Sequence, residues 1–426
     1  MGFVRNRCRF GGKSLTAALL GTTFLIGLAG PALADSHLES ENDELRSKVE
    51  DLMQEVQILK NMVLQQNTKN MEQDESIAEQ ADQTPAKMVE SGKDKVSLQV
   101  YGQVNRMLLY ASDGRDGRIF HADNDMSSTR VGFKGKAKMG GGWSAGTTVE
   151  AQMESNSSSK VNLQGDVNSG SETFTERKLE VWLKAKDAGK LSIGQGSTAS
   201  DGVAEADLSG TGVISGSGSG GAMGADVRFV DSSGNTHDKV DGIFDNLDGH
   251  SRKDRLRYDS PSFGGFQLST SLQSDKSDGD SGPWDLALRY GRELGGFEVE
   301  AVAAHWANGD DTGMGGSASL LAPSGTNFTV AYTTEEDGDD GATFSYLKLG
   351  QKLDISSVGS TALSVGFMNA ENADGDSGNY YDIAVVQKLK GLGTELYGVW
   401  GIYDADISGA VTNEVTVAGV GARIKF

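Results

Sequence analysis

The side chains best suited to chemistry in this sequence are carboxylates and guanidinium groups at close, regular spacing. Asp201, Glu205 and Asp207 fall within one short segment, and Arg255 and Arg257 are separated by a single residue. Carboxylates that face arginines across a narrow space create a strong local field. Such a field orients dipolar solutes and excludes bulky apolar ones, without breaking any bond. What these charged residues do therefore depends on the elements that position them.

Catalytic alternatives have weak support. The sequence contains no His-Glu-x-x-His motif and a single cysteine, Cys8, so zinc and thiolate chemistry have no obvious ligands. A hydrolase would depend on His305, the only histidine in a predicted strand. Gly216-x-Gly218-x-x-Gly221 matches a nucleotide-binding pattern, but neither a strand before it nor a helix after it is predicted. We therefore expect no enzyme activity and no required cofactor.

The amino terminus predicts export. Four cations, Arg5, Arg7, Arg9 and Lys13, precede an apolar run and the small-residue sequence 32–34, which is typical of a secretory signal peptide over residues 1–34. Removing it leaves 35 basic against 60 acidic residues, a net charge of −25. This acidity argues against a nucleic-acid partner.

Residues 35–66 predict a coiled coil with apolar residues at heptad spacing. Leu38 opens the pattern, and the Val and Leu positions with one Asn favour two helices in isolated peptides. We expect this coil to lie in the periplasm and to be joined to the rest of the chain by a polar, flexible linker over residues 67–95. The predicted coil core comprises Asn42, Leu45, Val49, Leu52, Val56, Leu59 and Val63.

Residues 96–426 predict a transmembrane β-barrel. Apolar and polar residues alternate in sixteen segments, and tight glycine turns alternate with long acidic loops. The last strand ends on an aromatic residue, with Ile424 and Phe426 on its apolar face, as in a barrel-assembly signal. The predicted strands cover 96–111, 127–138, 143–154, 174–186, 189–196, 254–260, 266–273, 284–292, 296–306, 313–322, 326–334, 342–352, 360–370, 379–389, 393–404 and 413–426.

Three passages and the terminal Phe426 resemble the trimeric general porins of Gram-negative bacteria. The passages are Ser128-Thr-Arg-Val-Gly-Phe-Lys-Gly135, Lys190-Leu-Ser-Ile-Gly-Gln195 and Asp254-Arg-Leu-Arg-Tyr-Asp-Ser-Pro-Ser-Phe-Gly-Gly-Phe266. The resemblance implies a homotrimer of sixteen-stranded barrels in the outer membrane, in contact with lipid and lipopolysaccharide. Each barrel would have a water-filled pore narrowed by an inward third loop. It favours three helices in the coil, which resembles an extension of some dicarboxylate-channel porins and could touch peptidoglycan.

Strand parity predicts which charges face the pore, because side chains alternate between the two faces of a strand. The connection 197–253 is the longest and should be the constriction loop, with Asp201, Glu205 and Asp207 facing the basic wall. Arg177 shares parity with the lipid face. Where such porins commonly carry arginine, this chain has Gln195. The predicted basic wall comprises Arg130, Lys134, Lys136, Lys178, Arg255, Arg257, Arg289 and Arg423.

We therefore expect a passive channel for small hydrophilic solutes and ions, with weak cation preference. A channel of the same fold that prefers dicarboxylates or sugars, and a surface adhesin, are the alternatives. Acidic outer loops could bind divalent cations such as Ca²⁺ through oxygen ligands. These loops include Asp275, Asp278, Asp280, Asp310, Asp311, Glu335, Glu336, Asp337, Asp339, Asp340, Glu371, Asp374, Asp376, Asp404 and Asp406.

Overall fold

The computed structural model describes residues 88–90, 96–164, 174–274, 282–337 and 340–426. The predicted signal peptide, the coiled coil and nearly all of the predicted linker lie outside these residues. Three residues of that linker, Met88–Glu90, form a short strand that pairs with residues 97–99. Helices in the described part have only three or four residues, and none of them could cross a bilayer.

Sixteen antiparallel strands form the barrel, which confirms the predicted fold class. Every predicted strand is present, with ends that differ by a few residues. The strands are β1 Val96–Ser112, β2 Gly117–Asp123 and Arg130–Gly140, β3 Trp143–Met153, β4 Phe174–Ala185, β5 Gly189–Ser197, β6 Arg252–Asp259, β7 Phe266–Gln273, β8 Trp284–Leu294, β9 Phe297–Asn308, β10 Asp311–Leu321, β11 Thr326–Asp337, β12 Asp340–Ser356, β13 Gly359–Glu371, β14 Ser377–Leu389, β15 Thr394–Asp406 and β16 Val415–Lys425.

Strand β2 has two parts, and the sequence predicted only the second. Its first part pairs with the upper half of β1, and its second part pairs with the lower half. A 3₁₀ turn, Asp125–Ser127, separates them and is capped by the Asn124 side chain. The interruption lets the chain bulge into the barrel without ending the sheet.

The barrel closes where β16 pairs with β1 along ten residues. The backbone of Phe426 completes the seam, because its N–H donates to Gly102 O and its carbonyl accepts from Gly102 N, both at 3.0 Å. A side chain at Gly102 would collide with the Phe426 ring and with the Arg130 carbonyl, each 2.7 Å from its Cβ. Glycine therefore allows the terminal aromatic ring to lie against the seam.

The two faces of the sheet differ as hydrocarbon and water require. Large apolar side chains such as Phe133, Leu179 and Val181 are exposed on the outer face, whereas the inner face carries most of the charged and hydroxyl groups. Aromatic residues cluster beside the short turns, where they would lie at the headgroup level. These exposed residues are Trp143, Phe263, Phe266, Phe297, Phe328 and Phe426.

The connection between β5 and β6, residues 198–251, is the long loop, and it folds into the barrel. Its backbone accepts or donates hydrogen bonds to side chains of β8, β10 and β15, on widely separated parts of the wall. Only a segment within the lumen could reach all three strands. Apolar residues of its second half, including Met223, Phe229 and Phe244, pack against Leu109 of β1 and Tyr403 of β15.

Candidate functional site: a charged constriction inside the barrel

The first half of the long loop presents carboxylates to the lumen. The turn that carries them is fixed by Asp248, whose two carboxylate oxygens accept from Ala204 N at 2.7 Å and from Gly202 N at 2.9 Å. Asp201 and Glu205 therefore lie on one short turn beside Asp248. The Glu205 side chain is exposed to the lumen.

These three carboxylates influence one another. Glu205 is accessible from the lumen, but the surrounding barrel limits the solvation of its carboxylate, and this desolvation raises its pKa; Asp201 raises the pKa further, although Arg252 and Arg177 oppose the shift. Burial also raises the pKa of Asp248, with Glu205 as the next cause. Glu205 and Asp248 thus take up protons at a higher pH than isolated carboxylates do.

Cations of β4, β6 and β8 face this turn. Arg289 donates from Nη2 to the Asp201 carbonyl at 2.8 Å. Arg177 and Arg252 are the basic groups that act electrostatically on Glu205. Acidic and basic groups thus meet across the lumen, as the sequence predicted in outline.

Two arginines of the predicted basic wall are held by neighbouring carboxylates. Arg255 forms an ion pair with Glu180 at 2.5 Å and donates to the Gly194 and Ser197 carbonyls. Arg257 pairs with Asp259 at 2.8 Å and donates to the Thr198 carbonyl at 2.6 Å. Both guanidinium groups anchor the start of the long loop, and their charges are largely compensated.

The remaining predicted cations lie on β2, β4 and β16. Arg423 pairs with Glu395 and donates to Ser127 Oγ at 2.7 Å. Lys134 lies over the Tyr101 ring, with its Nζ 4.6 Å from the centroid. For three other cations, the strand register gives the residue that lies directly opposite. Lys178 is opposite Glu150, Arg130 is opposite Gln152 and Lys136 is opposite Gly146.

The expectation that Arg177 shares the lipid face is wrong. The register between β3 and β4 shifts at Glu150, so a bulge places Arg177 on the inner face next to Lys178. Its Nε donates to Glu150 at 2.9 Å, and its Nη1 donates to Gln152 at 2.8 Å. Parity counted along the sequence fails at such a bulge.

Asp207 does not face the basic wall as expected. It binds Lys348 of β12 on a different part of the wall, with Nζ and Oδ2 2.8 Å apart. Lys348 is buried and also donates to the Ser215 carbonyl at 2.7 Å. Burial opposes ionisation of Asp207, but Lys348 offsets that effect and lowers the pKa of Asp207 below its ordinary value. The pair fastens the loop to the wall.

Sequence reasoning missed Lys348, although a signal was available. Leu347 and Leu349 are exposed on the outer face, so Lys348 between them has inward parity. A lysine at an inward position opposite a loop rich in carboxylates is a candidate anchor. Its partner still required knowledge of the loop's path.

The described residues contain no group of metal ligands, and one stretch matches a nucleophile motif without its usual structural context. Within them, no three His, Cys, Asp or Glu side chains are grouped to hold a metal ion. Gly142-Trp-Ser-Ala-Gly146 matches the nucleophile pattern Gly-x-Ser-x-Gly, but it runs from a hairpin turn into β3, and no helix follows. Several acidic outer-loop residues lie outside the described ranges, and cation binding there stays a prediction.

A family model described as Gram-negative porin matches residues 21–408. The chain belongs to the Gram-negative porin family. The porin barrel sits in the outer membrane and lets small solutes diffuse passively, and the family consists of channels rather than enzymes. No curated protein sequence matches the chain significantly.

Solved structures agree on the porin fold. An anion-selective porin from Comamonas acidovorans is 17% identical with a TM-score of 0.54, covering 78% of this chain and 100% of its own. OmpF of Salmonella typhi is 13% identical with a TM-score of 0.54, covering 80% and 100%. A trimer form of OmpT from Vibrio cholerae is 16% identical with a TM-score of 0.50, covering 78% and 100%.

Replacing Lys348 by methionine should loosen the constriction. The change leaves the Asp207 carboxylate without its cation, and breaking a buried pair costs about 3–5 kcal/mol. We expect noisier open-channel current and altered conductance in planar bilayers, because residues 207–215 lose their anchor. Lys388→Met removes a half-exposed lysine of β14 that forms no ion pair with the loop among the described residues, and its open-channel current should be as quiet as that of the native protein.

Adding Asp207→Asn to Lys348→Met should quieten the current again, since the unpaired buried charge is then removed. Native conductance and native current noise in the Lys348→Met channel would show that this ion pair does not hold the loop.

Proposed function

We propose that solutes are sorted between the loop carboxylates Asp201, Glu205 and Asp248 and the cations Arg177, Arg252 and Arg289. The observation that carries this proposal is the long loop inside the lumen, with its acidic turn facing β4, β6 and β8. Water-filled pores discriminate by width and by the charge of the lining at the narrowest level. Small hydrophilic solutes and ions would pass, and bulky apolar ones would be excluded.

We propose a weak preference for cations. In the described part of the chain, Asp201, Glu205 and Asp248 form no salt bridge, whereas Arg255, Arg257 and Arg423 each pair with a carboxylate. Negative charge without an ion-pair partner at the loop therefore favours cations at the level of the constriction. The Comamonas porin is described as anion-selective, so a shared fold does not fix selectivity.

We also propose that the porin assembles as a homotrimer through the outer face of β1 and β2. Arg106 points outward between the exposed Val104 and Leu108, where it pairs with Asp123 at 2.6 Å. An arginine that faces lipid costs up to about 2–4 kcal/mol at the bilayer midplane and less near the interfaces, so a protein neighbour would shield it. One of the similar solved structures, OmpT from Vibrio cholerae, is described as a trimer form.

Electrophoresis of unheated, detergent-extracted protein should show a species three times the mass of one chain. Arg106→Glu should reduce that species, because it sets two acids side by side at the contact. A single-chain barrel in the native protein would contradict the trimer.

Glu205→Gln should shift the reversal potential in a potassium chloride gradient towards that of chloride. The native channel should show a similar shift as pH falls from neutral towards 5, because the raised pKa values of Glu205 and Asp248 mean that both carboxylates lose their charge early. Glu205→Gln should therefore depend less on pH over that range.

The control is Glu371→Gln, which removes a carboxylate at the end of β13, away from the constriction. An unchanged reversal potential in Glu205→Gln, in a channel that still conducts, would place Glu205 outside the narrow region. A purified barrel with no conductance would contradict the channel itself.

A further inference from the structure

An aromatic side chain lies among lysines on the inner wall near the short turns. Residues directly opposite one another in a sheet share a face. Strand register sets Lys136 of β2, Gly146 of β3, Trp182 of β4 and Ser192 of β5 in one row across the wall. Trp182 therefore faces the lumen, at the end that is periplasmic in outer-membrane barrels.

The Trp182 indole lies flat on the wall because its neighbour is glycine. A Cβ at Gly146 would be 2.2 Å from Cζ2 of the indole and 2.5 Å from Cε2. One face of the ring thus covers the β3 backbone, and the half-buried indole keeps part of its surface towards the lumen. Lys190 lies above the ring, with Nζ 5.6 Å from its centroid.

Lysines surround this ring. In the next row towards the turn, Lys138 aligns with Ser144, Lys184 and Lys190 across β2 to β5. Lys136, Lys138 and Lys184 are exposed and form no salt bridge within the described ranges. The wall here carries ammonium groups without counterions.

Nearby carboxylates are already committed to other cations. Glu180, two residues before Trp182 on the same face, pairs with Arg255. Asp259, opposite Lys190, pairs with Arg257. Neither carboxylate can fully neutralise the lysines around the indole.

We propose that this wall binds planar aromatic carboxylates during their passage. The ring of such a solute would stack on the part of the Trp182 indole that faces the lumen, where it would displace the Lys190 side chain towards the edge of the indole. Its carboxylate would be held by Lys136, Lys184 or Lys190. Stacked aromatic pairs contribute about 0.5–1.5 kcal/mol beyond burial. Ammonium rings favour anions in pores. The site depends on the proposed open channel, and it defines a solute class on the periplasmic side of the constriction.

Benzoate is the probe, and cyclohexanecarboxylate is its non-planar control of equal charge. In planar bilayers, benzoate should reduce the native current in a saturable manner. We expect its half-blocking concentration to be about threefold to tenfold lower than that of cyclohexanecarboxylate, which cannot stack. Each current is normalised to the same channel in potassium chloride alone.

Trp182→Leu should raise the benzoate half-blocking concentration to that of cyclohexanecarboxylate, and Trp182→Phe should recover part of the difference. Lys184→Gln combined with Lys190→Gln should weaken both probes alike. The matched control is Trp400→Leu, which removes an exposed, outward tryptophan of β15 and should leave the benzoate block as it is.

Equal block by the two acids in the native channel, or an unchanged benzoate block in Trp182→Leu, would overturn the site. Either result needs a channel that conducts, so it differs from the silent bilayer that would contradict the proposed function. Heat-modifiable migration on electrophoresis checks that each variant has folded.

Discussion

Every other feature of this porin depends on the demand that backbone N–H and C=O groups in hydrocarbon be paired within the protein. An open sheet would leave N–H and C=O groups without hydrogen bonds along its two edges. Each such group in hydrocarbon costs several kcal/mol of free energy. The seam between β1 and β16, completed by the backbone of Phe426 and Gly102, removes those edges. Once the sheet is closed, its inner face is screened from lipid and can carry charge.

The closed barrel also explains the composition of the long loop. Residues 198–251 cannot lie against lipid, so their polar groups bind inward side chains of the wall. Their apolar residues pack on the inner faces of β1 and β15. The loop thus occupies one part of the lumen through an apolar core, and it presents Asp201 and Glu205 towards the part that stays open. Charge and apolar packing are separated within a single loop.

The strands could be predicted well because the pattern that marks a strand extends over a few neighbouring residues only. Alternation of apolar and polar residues identified all sixteen strands and the inward position of Arg255 and Arg257. The alternation could not predict positions that depend on contacts between residues far apart in the sequence. A bulge between β3 and β4 reverses the side of Arg177, and no sequence pattern marks it. Likewise, Asp207 meets Lys348 because of the path of the loop across the lumen.

The pairing of the wall charges was equally hidden. Arg255 and Glu180 lie 75 residues apart in sequence and meet because β4, β5 and β6 are neighbours in register. Inward parity alone suggested free cations, whereas the structure shows ion pairs that hold the loop. At the turn of the loop, Asp201, Glu205 and Asp248 form no salt bridge in the described part of the chain, so their charge is available to solutes at the constriction.

The long loop crosses the lumen to the far wall. Thr211 in the loop and Ser364 on β13 place their hydroxyl oxygens 2.9 Å apart. Cysteines at these two positions, in a chain whose only native cysteine is Cys8 in the predicted signal peptide, should form a disulfide in the folded barrel on mild oxidation. The cross-linked chain should then migrate differently from the reduced chain after full denaturation. Failure to cross-link in a folded, conducting barrel would show that the loop does not lie against this wall.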